Sequence, residues 1–203
     1  MKRPGLHPRI FLFFALALVA LSFLGGCQKY DELIEKDQVC EQHWSDYEAQ
    51  LQRRSDLVPN LVQTVKASAA HEQDTLQKVA EARASATSIK LTSDDLTDPA
   101  KVAAFEKAQS ELKGSLSRLM VVQEQYPDLK ANSAFHDLQV QLEGTENRIL
   151  RSREQYNQSV REYNSELGKI HGQVVNRVTG HPFKPRVYFQ ASPESQIAPK
   201  VTF

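Results

Sequence analysis

"RRSDLVPNLVQTVK", residues 53–66, sets two arginines, an aspartate and a proline inside a run whose apolar residues are otherwise spaced for one amphipathic helix. How Pro59 is read decides the number of helices, and with it the fold. A proline in a helix interior removes a backbone hydrogen bond and costs about 3 kcal/mol, but it costs little in the first turn. Asp56 stands three residues ahead of Pro59, where its carboxylate can accept from a free backbone N–H and suits the positive end of a helix dipole. The stretch therefore reads as a corner or sharp kink: one helix ends near Arg54 and another begins near Leu57. Arg53 and Arg54 fall at the C-terminal end of the first helix, where the dipole favours cations.

Before the corner, positions 33, 37, 40, 44, 47, 51 and 54 follow a 4,3,4,3 spacing and carry Leu, Asp, Cys, Trp, Tyr, Leu and Arg. Such a seam is buried in its middle, which makes Cys40 a small hydrophobe beside Trp44. A metal site at Cys40 and His43 lacks further ligands at useful spacing. After the corner, Val58, Leu61, Val65, Ser68, Leu76, Val79 and Ala86 form the next stripe, interrupted by His71 and Glu72. "HEQDT" begins like a zinc-protease motif but has no second histidine four residues on.

"SATSIKLTSDDLTD", residues 85–98, is a polar loop, and Asp98–Pro99 is an N-cap followed by a first-turn proline. Phe105, Ala108, Leu112, Leu116, Leu119 and Val122 then share one face, and Tyr126 with Pro127 ends that helix. Asn132 can cap the last and longest helix. Its seam runs through Phe135, Leu138, Leu142, Thr145, Ile149, Ser152, Tyr156, Val160, Tyr163, Leu167 and Ile170. At 1.5 Å per residue it is about 55 Å long. Gly144 in mid-helix suggests that another helix backbone approaches closely. The repeated Tyr-Asn pairs 156/157 and 163/164 put both rings on the seam and both amides beside it, where they satisfy neighbouring polar groups. A ligand groove is the less favoured reading of the repeat. Beyond Gly168 and Gly172 the periodicity stops. Residues 171–203, with Pro182, Pro185, Pro193 and Pro199, read as an extended tail along the bundle, anchored by Phe183, Tyr188 and Phe189.

The N-terminus is an address. Basic "MKRPGLHPR" precedes uncharged "IFLFFALALVALSFL" (10–24), and "GGC" closes the run. Fifteen apolar residues give about 22 Å of helix against a hydrocarbon core of roughly 30 Å. "LGGC", Leu24 to Cys27, resembles the lipobox of bacterial lipoproteins. Residues 1–26 are then a cleaved signal peptide and Cys27 carries the lipid, while Gln28 in place of Asp favours the outer membrane. The alternative is an uncleaved membrane anchor ending at an ordinary Cys27 thiol. Cys40 would have no intramolecular partner once Cys27 is acylated.

Composition excludes one class of partner. The chain has 25 basic and 25 acidic residues; losing Lys2, Arg3 and Arg9 with the leader leaves an acidic excess and no Lys/Arg stripe, so nucleic acid is not expected.

"RRSDLVPNLVQTVKASAAHE" (53–72), "YPDLKANSAF" (126–135), "LEGTENRI" (142–149), "REQYNQSVREYN" (153–164) and "RVYF" (186–189) together resemble the LemA family. The resemblance implies an all-α, antiparallel up-and-down four-helix bundle over residues 27–170, attached to a membrane by its N-terminus. Many members of the family keep a transmembrane helix, from which "LGGC" departs. The resemblance implies no catalytic residue and no cofactor.

Three functions compete. The favoured one is a noncatalytic, lipid-anchored, periplasm-facing envelope scaffold that recruits partner proteins. Helices of this type can equally pair with a second copy. The alternative is a binding module for a small molecule or cell-wall fragment. Its candidate walls are Arg53, Arg54, Asp56, Tyr126, Asp128, Lys130, Glu143, Glu146, Asn147 and Arg148. There Arg148 and Lys130 either meet an anion or neutralise Asp56 or Glu143. An enzyme is the least supported, since His43, His71, His136, His171 and His181 are scattered and no Gly-x-Ser-x-Gly elbow occurs. No catalytic and no metal residue is expected.

Overall fold

Pro59 does not end a helix. In a regular helix the carbonyl of Ser55 would accept the N–H of residue 59, which proline lacks. Arg83 supplies the missing donor: its Nε lies 2.9 Å from the Ser55 carbonyl oxygen, on a residue only 3% exposed. With that carbonyl satisfied from a neighbouring helix, the first helix runs on through the proline, and the expected corner near Arg54 is absent. Asp56, expected as the cap, is exposed and accepts instead from Gln52 Nε2 at 2.7 Å.

The computed structural model describes residues 8–68, 72–178 and 183–190, with side chains over 28–68, 72–177 and 183–190. It comprises α1 (Pro8–Ser68), α2 (Gln73–Ser88), α3 (Pro99–Val122), the short α4 (Pro127–Lys130), α5 (Ser133–Gly168) and α6 (Ile170–Val178), with single 3₁₀ turns at Asp95–Thr97 and Gln123–Gln125. Among the described residues the protein is all-helical, without a strand. Two expected caps form: Asp98 Oδ1 accepts from Ala100 N at 2.9 Å, and Asn132 Oδ1 accepts from Ala134 N at 2.9 Å.

α1 packs most extensively on α5, and α2 on α3. Lys29 meets Glu166, Gln50 meets Arg148 and Arg54 meets Glu146, so partners descend α5 as they climb α1 and the two run antiparallel. The seam from Leu33 to Arg54 is buried as its spacing requires except at the half-buried Asp37, with Cys40 at 0% exposure. Burial raises the Cys40 thiol above its ordinary range.

The core is divided. One cluster gathers Leu33, Cys40, Trp44, Tyr47 and Leu51 with Phe105, Tyr156 and Tyr163; the other gathers Val58, Leu61 and Val65 with Val79, Leu116, Leu119 and Phe135. Arg54, Ser55, Gln109, Thr145 and Glu146 lie in the layer between.

Two further expectations change. Gly144 admits no helix backbone; the atoms nearest to a side chain there belong to the Arg148 guanidinium, at 3.6 and 3.9 Å. Residues 170–178 are helical rather than extended. Lys169 takes an extended conformation (φ −67°, ψ 155°), which turns the chain off the α5 axis. Ile170 thereby leaves the seam and is 79% exposed. Gly172 permits the turn, because a methyl at that position would collide with the carbonyls of Glu166 and Leu167.

Candidate functional site

Residues 183–190 are extended, and their backbone polar groups are met mainly by side chains of the helices instead of by a sheet ladder. Asn157 Nδ2 donates to the Phe189 carbonyl at 2.7 Å, while the Phe189 N–H donates to Asn157 Oδ1 at 2.9 Å. Asn164 grips Arg186 in the same way, at 2.8 and 2.9 Å. Asn176 grips Phe183, at 3.1 and 2.7 Å. Between these clamps, Tyr163 donates its hydroxyl to the Lys184 carbonyl at 3.0 Å, and the Val187 N–H donates to the Leu96 carbonyl at 2.8 Å.

The spacing has a geometric reason. Seven residues of α-helix advance about 10.5 Å, and three residues of extended chain advance about 10 Å. A heptad on α5 (Asn157, Asn164) therefore matches a triplet on the strap (Phe189, Arg186). Primary amides suit the task because each offers one donor and one acceptor side by side, complementary to a peptide unit.

The triplet also sets which strap side chains turn inward. Phe189 is 2% exposed and stacks on Trp44, with ring centroids 5.5 Å apart and planes 7° from parallel. Tyr47, Phe105 and Tyr156 surround it at 5.2, 6.1 and 5.1 Å. Arg186 is 4% exposed; its Nε donates to Asp37 Oδ1 at 2.7 Å and its Nη2 donates to Ser93 Oγ and Glu41 Oε1 at 3.0 and 3.4 Å. Asp37, the one acidic residue on the α1 seam, is thus the receptor for Arg186. Burial works against the Arg186 charge, but the bond to Asp37 outweighs it and leaves the guanidinium held above its ordinary value. Burial pushes Tyr47 up to about 12 and raises Tyr156 and Tyr163 further, so all three stay neutral. Phe183 and Phe189 anchor the strap as expected, whereas Tyr188 is 42% exposed and does not.

The polar residues singled out in the sequence fall at two places. Arg54 is 2% exposed, donating to Glu146 Oε1 at 3.0 Å and to Gln109 Oε1 at 2.6 Å. Arg148 lies nearby and donates to Thr145 Oγ1 and Gln50 Oε1 at 3.0 and 3.3 Å. Tyr126 instead bonds Glu72 beyond the end of α3, at 3.0 Å, and Lys130 pairs with Glu124 at 2.8 Å. Glu143 accepts from Gln139 at 3.1 Å, and Arg53, Asp128 and Asn147 are exposed. Neither Arg148 nor Lys130 reaches Asp56 or Glu143 by any of these bonds. Asn176, Arg186, Arg83 and Gln109 were not singled out. The triplet Phe183, Arg186, Phe189 facing the heptad of Tyr-Asn pairs was the signal for Arg186.

A cleft of about 580 Å³ opens between α3 and α5, below the last strap residue. Arg54, Glu106, Glu146, Arg153 and Gln190 line it. Glu106 accepts from the Gln190 N–H at 2.6 Å, and burial raises its carboxyl above the ordinary range. Among the described residues no group of three His, Cys, Asp or Glu is placed to hold a metal ion. Among them also, no helix is long and apolar enough to cross a membrane. Cys27, the side chains of the apolar leader, His71, His181 and residues 191–203 lie outside the described side chains.

The molecule is an all-helical protein whose antiparallel long helices are closed by an asparagine-clamped C-terminal strap. The chain belongs to the LemA family, whose family model matches residues 43–203, a span that includes the three clamping asparagines and the strap. No curated protein matches the chain.

Proposed function

We propose that the protein is a noncatalytic, lipid-anchored scaffold of the bacterial envelope. In this reading α1, α2, α3 and α5 form an up-and-down antiparallel bundle, residues 1–26 leave as a signal peptide, and acylated Cys27 holds the bundle to the membrane, outer rather than inner, facing the periplasm. The observation that carries it is the absence of slack between anchor and core. Leu33 is fully buried, and α1 is helical throughout from Cys27 to Leu33, about 9 Å at 1.5 Å per residue. The buried polar side chains named above hold one another or the strap, in keeping with a structural role. Partner proteins would engage exposed apolar positions remote from the anchor, such as Val140 and Leu150, at 54% and 44% exposure. Photo-crosslinkers placed there in the full chain, in cells, should capture the same envelope protein repeatedly. Capture of nothing above a membrane-anchored unrelated bundle would overturn the scaffold, and mass analysis showing unmodified Cys27 would overturn the anchor.

The cleft between α3 and α5 favours a second reading, a binding module for a small molecule or wall fragment. Its charged groups of both signs and its volume suit a ligand of a few hundred daltons. Muropeptides that raise the melting temperature of the full chain, with the shift lost in Glu106→Gln, would support this reading; no shift would remove it.

A further inference from the structure

We propose that α6 lies on the membrane surface, with Ile170 and Val174 inserted where lipid headgroups meet acyl chains. The inference rests on N-terminal membrane attachment and adds to it a second, noncovalent contact. α6 is amphipathic in a divided sense. Val175 enters the core cluster against which Tyr30 and Ile34 pack, while Ile170 and Val174, one turn apart, stand 79% and 54% exposed on the other side. Ile170 is the most exposed of the large apolar residues among those described.

Position supplies the occupant. α5 runs antiparallel to α1, so its C-terminal end and α6 return to the stretch of α1 just after Cys27, where Lys29 meets Glu166 and Tyr30 meets Phe183 at 5.8 Å. Tyr30 is three residues beyond Cys27 and six beyond Leu24, about 5 and 9 Å along a helix. The headgroup layer on each side of a bilayer is about 5–7 Å deep. Anything that fixes Cys27 or the apolar leader to a membrane therefore brings α6 to that layer, which is the depth at which surface helices bury their apolar faces. Arg177 in the last turn of α6 suits anionic headgroups at the same level, and the Lys169 ammonium, though bonded to Glu166, is 57% exposed beside it. A second copy of the chain fits less well, because two aliphatic side chains fall far short of the roughly 800 Å² per partner that a stable protein interface buries.

The test uses the full chain in vesicles of acyl-brominated phosphatidylcholine with phosphatidylglycerol as the minor lipid. Ile170→Trp and Val174→Trp are compared with Val140→Trp near the opposite end of α5 and with the wild type, whose Trp44 is buried. Both α6 variants should lose more than half of their added emission to bromine, while Val140→Trp and Trp44 lose little. Two separate positions keep the result independent of one variant's folding, which unchanged Trp44 emission confirms. If the chain floats with the vesicles but quenching in both α6 variants equals that of Val140→Trp, the surface contact is wrong and the anchoring stands. If the chain does not float with vesicles, the anchoring fails and this inference falls with it.

Discussion

Pro59 and Arg83 form a pair that no contact between their side chains would reveal. The proline creates a carbonyl without a donor, and the arginine supplies one from another helix. Arg83→Met should cost about 1–3 kcal/mol, the penalty for leaving a buried polar group unsatisfied. In a Pro59→Ala background the restored N–H takes over, and the same substitution should cost much less. Urea unfolding of the four proteins in this double-mutant cycle measures the coupling, and additive effects would show that Arg83 does not serve the proline. Asn157 offers a second test of a single group. Asn157→Asp keeps the acceptor for the Phe189 N–H but sets a carboxylate oxygen against the Phe189 carbonyl, so it should destabilise at least as much as Asn157→Ala, by about 2 kcal/mol at neutral pH. Equal stability of Asn157→Asp and wild type would mean that the amide is not clamping.

The strap and α6 are the elements whose behaviour sequence periodicity conveyed least. The seam of α1, the N-caps Asp98 and Asn132 and the length of α5 were legible because helix periodicity and capping are local. The continuation through Pro59 was not, since its cause is Arg83, 28 positions beyond the Ser55 carbonyl that it serves. The candidate polar cluster was half legible: Arg54, Glu146 and Arg148 share a region, whereas Tyr126, Asp128 and Lys130 belong to the turn after α3. Nothing local distinguishes an arginine bound for a buried layer from its exposed neighbour Arg53. The tail was expected to cover the bundle, yet it also completes the aromatic cluster. Phe189→Ala should therefore cost about 3–5 kcal/mol, as for a core phenylalanine, and render residues 183–190 sensitive to protease. A loss below about 1 kcal/mol would make the strap a mere covering. At the end of α5, the Lys169 ammonium bonded to Glu166 holds that carboxyl below its ordinary value of 4.5. A depressed carboxyl contributes its stability in full above the ordinary value and loses it as the pH falls through the folded-state value. The wild type should accordingly lose more stability than Glu166→Gln between about pH 6 and pH 3, read from urea midpoints.

Across the whole molecule, two apolar clusters share one α1/α5 pair, and the layer between them, buried Arg54 with partly exposed Glu146, sets how those helices align. Glu146→Met leaves a charge on Arg54 at 2% exposure and should cost about 3 kcal/mol. Arg54→Met together with Glu146→Met should recover most of that loss, because apolar replacement of a buried ion pair is often neutral or better. If the double variant is as unstable as the single one, the layer stabilises more than it aligns. Amide exchange in the recovered variant should still quicken along both helices, because a single register is no longer imposed.

The bond between Arg186 and Asp37 joins residues 149 apart in the sequence. During synthesis the helices emerge from the ribosome or translocon first, with Trp44 and Tyr156 lacking the ring that later packs against both. A nascent chain cut short before Phe189 would keep its helices but present an open aromatic socket to chaperones and proteases. Closure of that socket therefore waits on the strap, whose residues follow every helix that lines it.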